Sequence, residues 1–129
     1  MSIATTNKTD RIRYLNDLAR RQPHQVNAQC FFTPGILALL QADAPLEAEN
    51  TGLDLVKHVA LSREIATYDK FNPDNDPHGE HDFGSFVFDG EKVFWKIDYY
   101  HPDRDRHAPD PSSVEQCRRI ITVMLASEY

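Results

Sequence analysis

The stretch FGSFVFDGEKVFWKIDYY, residues 83–100, predicts a β-hairpin whose strands meet at Asp89-Gly90. An Asp-Gly loop of two residues tolerates the positive φ angles of a type I′ turn, and its length sets the register of the two strands. In that register Gly84 lies opposite Trp95, where the missing side chain leaves room for the indole. The sequence therefore predicts a hairpin with one apolar face in the core and a second, mixed face.

The N-terminal third predicts a helix followed by a short strand. Residues 9–21 carry apolar side chains at helical spacing, and Thr9 or Asp10 is expected to cap the helix. The segment VNAQCFF, residues 26–32, is rich in residues that favour strands. A helix and a strand are thus expected before residue 33.

The middle of the chain is less sharply patterned. Thr33-Pro34 is typical of a helix start, and the apolar segment after it predicts a short helix. Residues 44–52 indicate a surface connection. Residues 53–71 fit either a helix or one or two strands, and a helix followed by a strand is the favoured alternative.

The last segment, SSVEQCRRIITVMLASEY, residues 112–129, predicts an amphipathic helix. Ser112 and Glu115 have the spacing of a capping box. The helical stripe comprises Val114, Cys117, Ile120, Ile121, Met124 and Leu125. We therefore expect an α+β fold, with a small antiparallel sheet around a central hairpin (about 82–100) packed by N-terminal and C-terminal amphipathic helices.

Length and composition predict one domain spanning residues 1–129. A chain of 129 residues with 40% apolar and 26% charged residues has the composition of a globular protein and is too short for two cores. It has no apolar run of about 18 residues and no signal-peptide pattern, which predicts a cytoplasmic protein with no membrane span. Cys30 and Cys117 lie outside any C-x-x-C pair, so both are expected to be buried thiols.

The charge distribution predicts a two-sided molecule. The formal net charge of -6 disfavours direct binding to nucleic acid and favours a basic partner. Residues 1–21 contain five Lys or Arg against two Asp, whereas residues 69–82 contain five acidic residues against one Lys. The acidic end is therefore the expected contact with a positively charged partner.

The acidic loop before the hairpin, residues 72–82, is rich in potential metal ligands. Against an EF-hand, Asp74, Asp76 and Gly79 occupy the first, third and sixth positions, but His78 replaces the fifth ligand and Ser85 replaces the bidentate glutamate. This departure disfavours calcium binding. The candidate ligands are Asp74, Asn75, Asp76, His78, Glu80, His81 and Asp82.

The same loop has two further interpretations, a zinc site and a structural turn. His78 and His81 are three residues apart, yet no spacing identifies the third ligand that zinc would need. Asn and Asp side chains also bond the backbone of successive turns, which Pro73 and Pro77 would stiffen. The sequence favours this stiff acidic turn, and neither a metal nor a cofactor is predicted.

The hairpin register suggests a catalytic alternative. It places His81 opposite Asp98, with Lys96 and Tyr100 on the same face, and a carboxylate-oriented imidazole can act as a general base. The sequence has no nucleophile-elbow pattern and no Gly-rich phosphate loop. Binding is therefore favoured over catalysis.

Several blocks of the chain resemble a family of small bacterial proteins defined only as a domain of unknown function. Members are often encoded on plasmids, prophages and other mobile elements, and their segment before the acidic loop is usually shorter than residues 50–70 here. The resemblance brings no reaction, ligand or catalytic residue. The matching blocks are NDLAR at Asn16–Arg20, TPGI at Thr33–Ile36, DNDPHGEHDFG at Asp74–Gly84, WKIDYY at Trp95–Tyr100 and ITVMLASEY at Ile121–Tyr129.

The resemblance implies a mobile-element setting, where small acidic proteins block host restriction or CRISPR machinery by occupying a basic nucleic-acid-binding surface. The leading hypothesis is therefore a protein-binding inhibitor of a host defence system. The first alternative is a metal-assisted hydrolase or nuclease using the loop, with Asp98 as a further ligand. The second is a nucleic-acid regulator using the basic N-terminal helix, which the net charge disfavours. The candidate partner-binding residues are Asp74, Asp76, His78, Glu80, His81, Lys96, Asp98 and Tyr100.

Overall fold

The computed structural model describes residues 7–41 and 54–129 and confirms the α+β class. Its four strands form one sheet in the order β1-β4-β3-β2. Short 3₁₀ turns cover Pro23–Val26 and Ala126–Glu128. The helices and strands are α1 (Lys8–Arg21), β1 (Ala28–Phe32), α2 (Pro34–Leu39), α3 (Leu55–Ala66), β2 (Phe83–Phe88), β3 (Glu91–Tyr100) and β4 (Arg118–Leu125).

The predicted hairpin is confirmed in its turn and in its strand register. Asp89 and Gly90 have φ angles of 51° and 79°, as a type I′ turn requires. Gly84 pairs with Trp95, which is fully buried. A Cβ atom added at Gly84 would lie 2.6 Å from Cε2 of the indole, so a glycine is needed there.

The predicted C-terminal helix is wrong, because residues 118–125 form the central strand β4. β4 pairs antiparallel with β3 and parallel with β1, so the sheet is mixed instead of antiparallel. The run Ile120-Ile121-Thr122-Val123 consists of β-branched residues, which favour strands over helices. Ser112 does not cap a helix; its backbone N–H and its hydroxyl donate to the Asp110 carboxylate.

The N-terminal elements follow the predictions with small changes. α1 is capped by Asn7, whose side chain accepts from the Asp10 N–H at 2.8 Å, instead of by Thr9 or Asp10. The strand β1 and the helix α2 are confirmed. Cys117 is buried as expected, but Cys30 is exposed at the sheet edge.

The uncertain middle segment contains one helix. Residues 55–66 form α3, capped by the Asp54 carboxylate, which accepts from the N–H groups of Val56 and Lys57. Residues 67–71 continue as a turn and irregular chain, so the strand expected after the helix is not formed. The predicted connection at residues 44–52 lies outside the described residues.

All three helices pack on one face of the sheet, and the hydrophobic core lies between them and that face. The helices contribute Leu15 and Ala19, Ile36 and Leu40, and Leu61 and Ile65 to the same core cluster. The strands contribute inward-facing residues from alternate positions. These are Ala28, Val93, Trp95, Ile97, Ile121 and Val123. In the part of the chain that the structure describes, no helix is long and apolar enough to cross a membrane.

Candidate functional site

The acidic loop is held together by its own side chains, as the turn interpretation of the sequence requires. The Asn72 side chain accepts from the N–H groups of Asp74 and Asn75 at 2.9 and 3.1 Å. The Asp76 carboxylate accepts from the N–H groups of Glu80 and His81, both at 3.1 Å. These bonds replace the ladder hydrogen bonds that a loop lacks, and they give the loop a fixed shape.

The loop is also fixed to helix α1. Nη1 of Arg13 donates to the Gly79 carbonyl oxygen at 2.9 Å, and the Asn16 amide donates to the Glu80 carbonyl oxygen at 3.0 Å. The Glu80 carboxylate in turn accepts from the Tyr99 hydroxyl at 2.8 Å, which links the loop to strand β3. Burial raises the pKa of Tyr99, so the hydroxyl stays a donor. The loop is therefore a rigid part of the domain.

The predicted pair of His81 and Asp98 is wrong. His81 has a φ angle of 56°, which a β-strand does not allow, so strand β2 begins only after this residue, at Phe83. Its ring stacks on Phe71 with 3.7 Å between centroids, and Nδ1 donates to the Asp17 carboxylate at 2.8 Å. The histidine thus lies on the helix side of the sheet, away from Asp98.

His81 with Asp17 is a carboxylate-oriented imidazole, but its surroundings do not complete a catalytic set. Nε2 of His81 lies 3.8 Å from the Asp76 carboxylate, so both ring nitrogens face carboxylates. No serine or cysteine is among the described residues that line the cleft beside it. The cleft is lined by Asp17, Arg20, Arg21, Thr67, Tyr68, Asp69, Phe71 and His81 together with Ala66. This arrangement fits a structural histidine.

The loop carboxylates are concentrated and only partly neutralised. Burial raises the pKa of Asp82, and the nearby negative charges of Glu80 and Asp76 raise it further. Among the described residues, no group of three or more His, Cys, Asp and Glu side chains converges as metal ligands would. Asp74 and His78 are the predicted loop residues that remain exposed, whereas Asp76 is buried.

The other predicted residues lie on the outer face of the hairpin, which points away from the helices. Nζ of Lys96 lies 3.1 Å from the Asp98 carboxylate, and both side chains are about 40% exposed. Tyr100 lies under the guanidinium of Arg118, 5.4 Å from its ring centroid. The structure therefore separates the candidates into a loop group and an outer-face group, and the loop leads directly into this face at Phe83.

An aromatic cluster on this outer face was not singled out from the sequence. The rings of Phe83 and Phe94 lie 5.2 Å apart, and both contact the C-terminal Tyr129, at 6.1 and 5.5 Å. Tyr129 is 77% exposed, Val87 is 71% exposed and Phe31 of strand β1 is 52% exposed. The alternation of β2 and β3 could have revealed Phe83 and Phe94, but the position of Tyr129 depended on knowing that β4 is a strand.

Two buried arginines were also missed. Arg119 is fully buried, and its Nε donates to the Asn16 side-chain oxygen at 2.7 Å while Nη2 donates to the Pro111 carbonyl oxygen at 2.5 Å. Arg20 donates to the Asp17 carboxylate at 2.6 Å and to the Ile65 carbonyl oxygen at 2.7 Å. Burial lowers the pKa of each guanidinium. The sequence predicts a surface position for both arginines, because most of the residues that bury them and accept their hydrogen bonds are distant in the chain.

The comparisons with known proteins identify a family whose function is unknown. A family model described as a protein of unknown function (DUF3768) matches residues 32–128. No curated protein and no solved structure matches the chain.

Proposed function

Because the chain belongs to this family of proteins of unknown function, DUF3768, we propose a function from the site alone: binding to a partner protein through the loop and the outer hairpin face. We call this the hairpin surface; it comprises the exposed side chains of the loop at residues 72–82 and the outward side chains of strands β2 and β3, with Tyr129 beside them. Of the candidate residues it includes Asp74, His78, Lys96, Asp98 and Tyr100, whereas Asp76 is buried, Glu80 is bonded to Tyr99 and His81 lies on the helix side of the sheet.

The aromatic cluster is the observation that carries this proposal. Phe83 and Phe94 are half-buried, Tyr129 is exposed, and none of the three belongs to the core cluster that the described α-helices share. Aromatic side chains at the surface next to charged ones are typical of protein interfaces, where a few such residues supply most of the binding energy. Lys96 and Asp98 neutralise each other, which suits an interface better than a phosphate-binding surface.

The rigid acidic loop supports a positively charged partner. Its backbone is already fixed by Asn72, Asp76 and helix α1, so little conformational entropy is lost on binding. The exposed Asp74 and the crowded carboxylate of Asp82 both gain from a nearby cation. A basic protein surface provides that charge.

A narrower form of the proposal concerns the setting. The resemblance to proteins of plasmids and prophages, together with the net charge of -6, supports a cytoplasmic inhibitor that covers the nucleic-acid-binding surface of a host defence complex. Such an inhibitor acts by occupying the surface and needs no reaction of its own.

The proposal is tested first by identifying the partner. The tagged protein would be crosslinked in its native host and the partner identified by mass spectrometry, then purified for binding measurements. The double variant Val87→Ser with Tyr129→Ser removes two exposed apolar side chains from the hairpin surface and is expected to weaken binding at least about tenfold. Tyr14→Ser is the matched control, because Tyr14 is 64% exposed on α1 and takes no part in the aromatic cluster of Phe83, Phe94 and Tyr129.

A second measurement tests the electrostatic part. Asp74→Asn is expected to slow association at low salt while leaving dissociation nearly unchanged, since exposed charges act mainly on the encounter rate. An association rate that does not change with ionic strength would contradict the acidic contact. Direct, tight binding of purified protein to nucleic acid through the hairpin surface would overturn the whole proposal.

A further inference from the structure

Strand β1 forms one edge of the sheet, opposite to β2, and part of its backbone has no hydrogen-bond partner among the described residues. The Arg119 N–H donates to the Asn27 carbonyl oxygen at 3.2 Å, and the Thr33 N–H donates to the Val123 carbonyl oxygen at 3.1 Å. Bonding residues alternate in a parallel ladder, so Gln29 and Phe31 also point towards β4. The N–H and carbonyl groups of Ala28, Cys30 and Phe32 therefore point outward, and none has a hydrogen-bond partner outside the strand in the described chain.

A groove of about 460 Å³ runs beside this edge on the helix side of the sheet. It lies between β1, the end of α1 and the second half of α3, and its surface is mainly apolar. The apolar side chains that line it include Ala19, Cys30, Phe32 and Ile121. The volume suits a few side chains of an extended peptide.

In the part of the chain that the structure describes, every charged side chain that lines the groove is an arginine. Arg21 and Arg63 are exposed and line the groove, and neither takes part in an ion pair within the described residues. Arg20 also lines the groove, but its guanidinium already donates to the Asp17 carboxylate. Among the described residues, no acidic side chain lines the groove, although the protein carries a net charge of -6. The groove is thus a local basic site in an acidic molecule.

We propose that the β1 edge and this groove bind an extended acidic segment of a partner protein by strand addition. The outward N–H and carbonyl groups of Cys30 and Phe32 would continue the sheet into the segment. Alternate side chains of an added strand would enter the groove, and its carboxylates would lie near Arg21 and Arg63. Edge-strand addition beside a helix is a recurring mode of peptide recognition, in which the backbone provides affinity and the side-chain pockets provide specificity.

The test uses a defined probe, the peptide acetyl-Val-Glu-Val-Glu-Val-Glu-Val-Glu-amide, with the same peptide carrying Lys at every Glu position as the charge control. Binding to the full chain is measured by NMR titration and by amide hydrogen exchange. The acidic probe is expected to bind and to slow the exchange of the Cys30 and Phe32 amides at least about tenfold. The Gln29 and Phe31 amides, already bonded to β4, are expected to change little.

Charge-reversal variants test the role of the groove arginines. Arg63→Glu and Arg21→Glu are exposed changes and are each expected to weaken the acidic probe at least about fivefold. Lys92→Glu is the matched control, because Lys92 lies exposed on the outer face of β3, across the sheet. A probe methylated on alternate backbone nitrogens removes its hydrogen bonds without changing the protein, and is expected not to protect the Cys30 and Phe32 amides.

Several results would overturn the proposal. These are no binding of the acidic probe at millimolar concentration, equal binding of the Lys control, or binding without protection of Cys30 and Phe32. Protection of these amides that rises with protein concentration in the absence of probe would assign the edge to a second copy of the chain instead. The outcome is independent of the hairpin surface, because the groove and the aromatic cluster share no residue.

Discussion

Asn16 connects three parts of the molecule that are distant in the chain. From the middle of α1 its amide donates to the Glu80 carbonyl oxygen and to the Tyr99 hydroxyl, while its oxygen accepts from Nε of Arg119. The side chain is fully buried, so each of these bonds replaces one that water would make. One amide thereby joins the helix, the acidic loop and the two central strands.

Replacing Asn16 with Ala is expected to lower the free energy of unfolding by about 2–4 kcal/mol, because it leaves the buried Arg119 without one of its acceptors. Urea unfolding followed by Trp95 fluorescence measures the change. Tyr14→Ala on the exposed side of the same helix serves as the control and is expected to cost under about 0.5 kcal/mol. Adding Arg119→Leu to Asn16→Ala should recover part of the loss, and a single-variant loss below about 1 kcal/mol would contradict this role.

The crowded carboxylate of Asp82 predicts an unusual pH dependence. Its pKa is raised in the folded state by burial and by Glu80 and Asp76, so the folded protein holds this proton more tightly than the unfolded chain does. Its favourable contribution to stability is complete below the ordinary aspartate pKa of about 3.9 and is lost as pH rises through the folded-state value. At pH 7 the ionised group destabilises the fold.

Asp82→Asn is therefore expected to stabilise the protein at pH 7. The gain should be modest, under about 1 kcal/mol, because water still screens the half-buried carboxylate. The gain should shrink as pH falls towards 3, where the wild-type carboxylate is protonated as well. Thermal unfolding at a series of pH values measures it, with Asp74→Asn as an exposed control. A constant difference between Asp82→Asn and wild type across the range would show that the shift is absent.

At the scale of elements, β4 shows that a local apolar pattern does not decide between a helix and a central strand. The apolar stripe of residues 114–125 fits a helix, but a central strand has apolar side chains on both faces and therefore satisfies the same stripe. Arg119, Ile121 and Val123 face the core, whereas Ile120 and Met124 belong to the opposite face. The β-branched run at residues 120–123 was the signal that could have decided for a strand.

The residues of β1 that bond β4 and those that point outward are expected to respond differently to substitution by proline. Gln29→Pro removes an N–H that bonds β4 and is expected to cost about 3 kcal/mol or more, whereas Cys30→Pro removes an outward N–H and should cost about 1 kcal/mol. The two variants are neighbours in one strand, so each controls for the other. Urea unfolding measures both losses. Equal losses of unfolding free energy would mean that the N–H of Gln29 does not bond β4, or that the N–H of Cys30 does not point outward.

At the scale of the molecule, local interactions were predictable and distant ones were not. The Asp-Gly turn fixed the hairpin register through Gly84 and Trp95, because the turn and both strands are contiguous in the chain. The candidate site was predicted as residue types but not as an arrangement. His81 turned to Asp17, 64 residues away, and its positive φ angle ended the ladder that would have paired it with Asp98. Contacts of that separation leave no periodic pattern in one sequence.

The family match begins at residue 32, yet the fold depends on residues before it. α1 supplies Leu15 and Ala19 to the core and Asn16 to the buried Arg119, and β1 is the parallel neighbour of the central strand β4. A chain restricted to residues 32–129 would expose one side of β4 and leave the buried Arg119 without one of its two acceptors, the Asn16 side chain. The matched region is therefore not expected to be an independent folding unit.

We expect a protein of residues 32–129 to lack cooperative thermal unfolding and to show poor NMR dispersion, since its core and its sheet are both incomplete. Adding a synthetic peptide of residues 7–31 should restore both, because the peptide carries α1 and all of β1 except Phe32, which the larger fragment retains. The same peptide with Asn16→Ala is the matched control and should restore the fold only at higher concentration. Cooperative unfolding of residues 32–129 alone would show that the helix side of the sheet can close without α1.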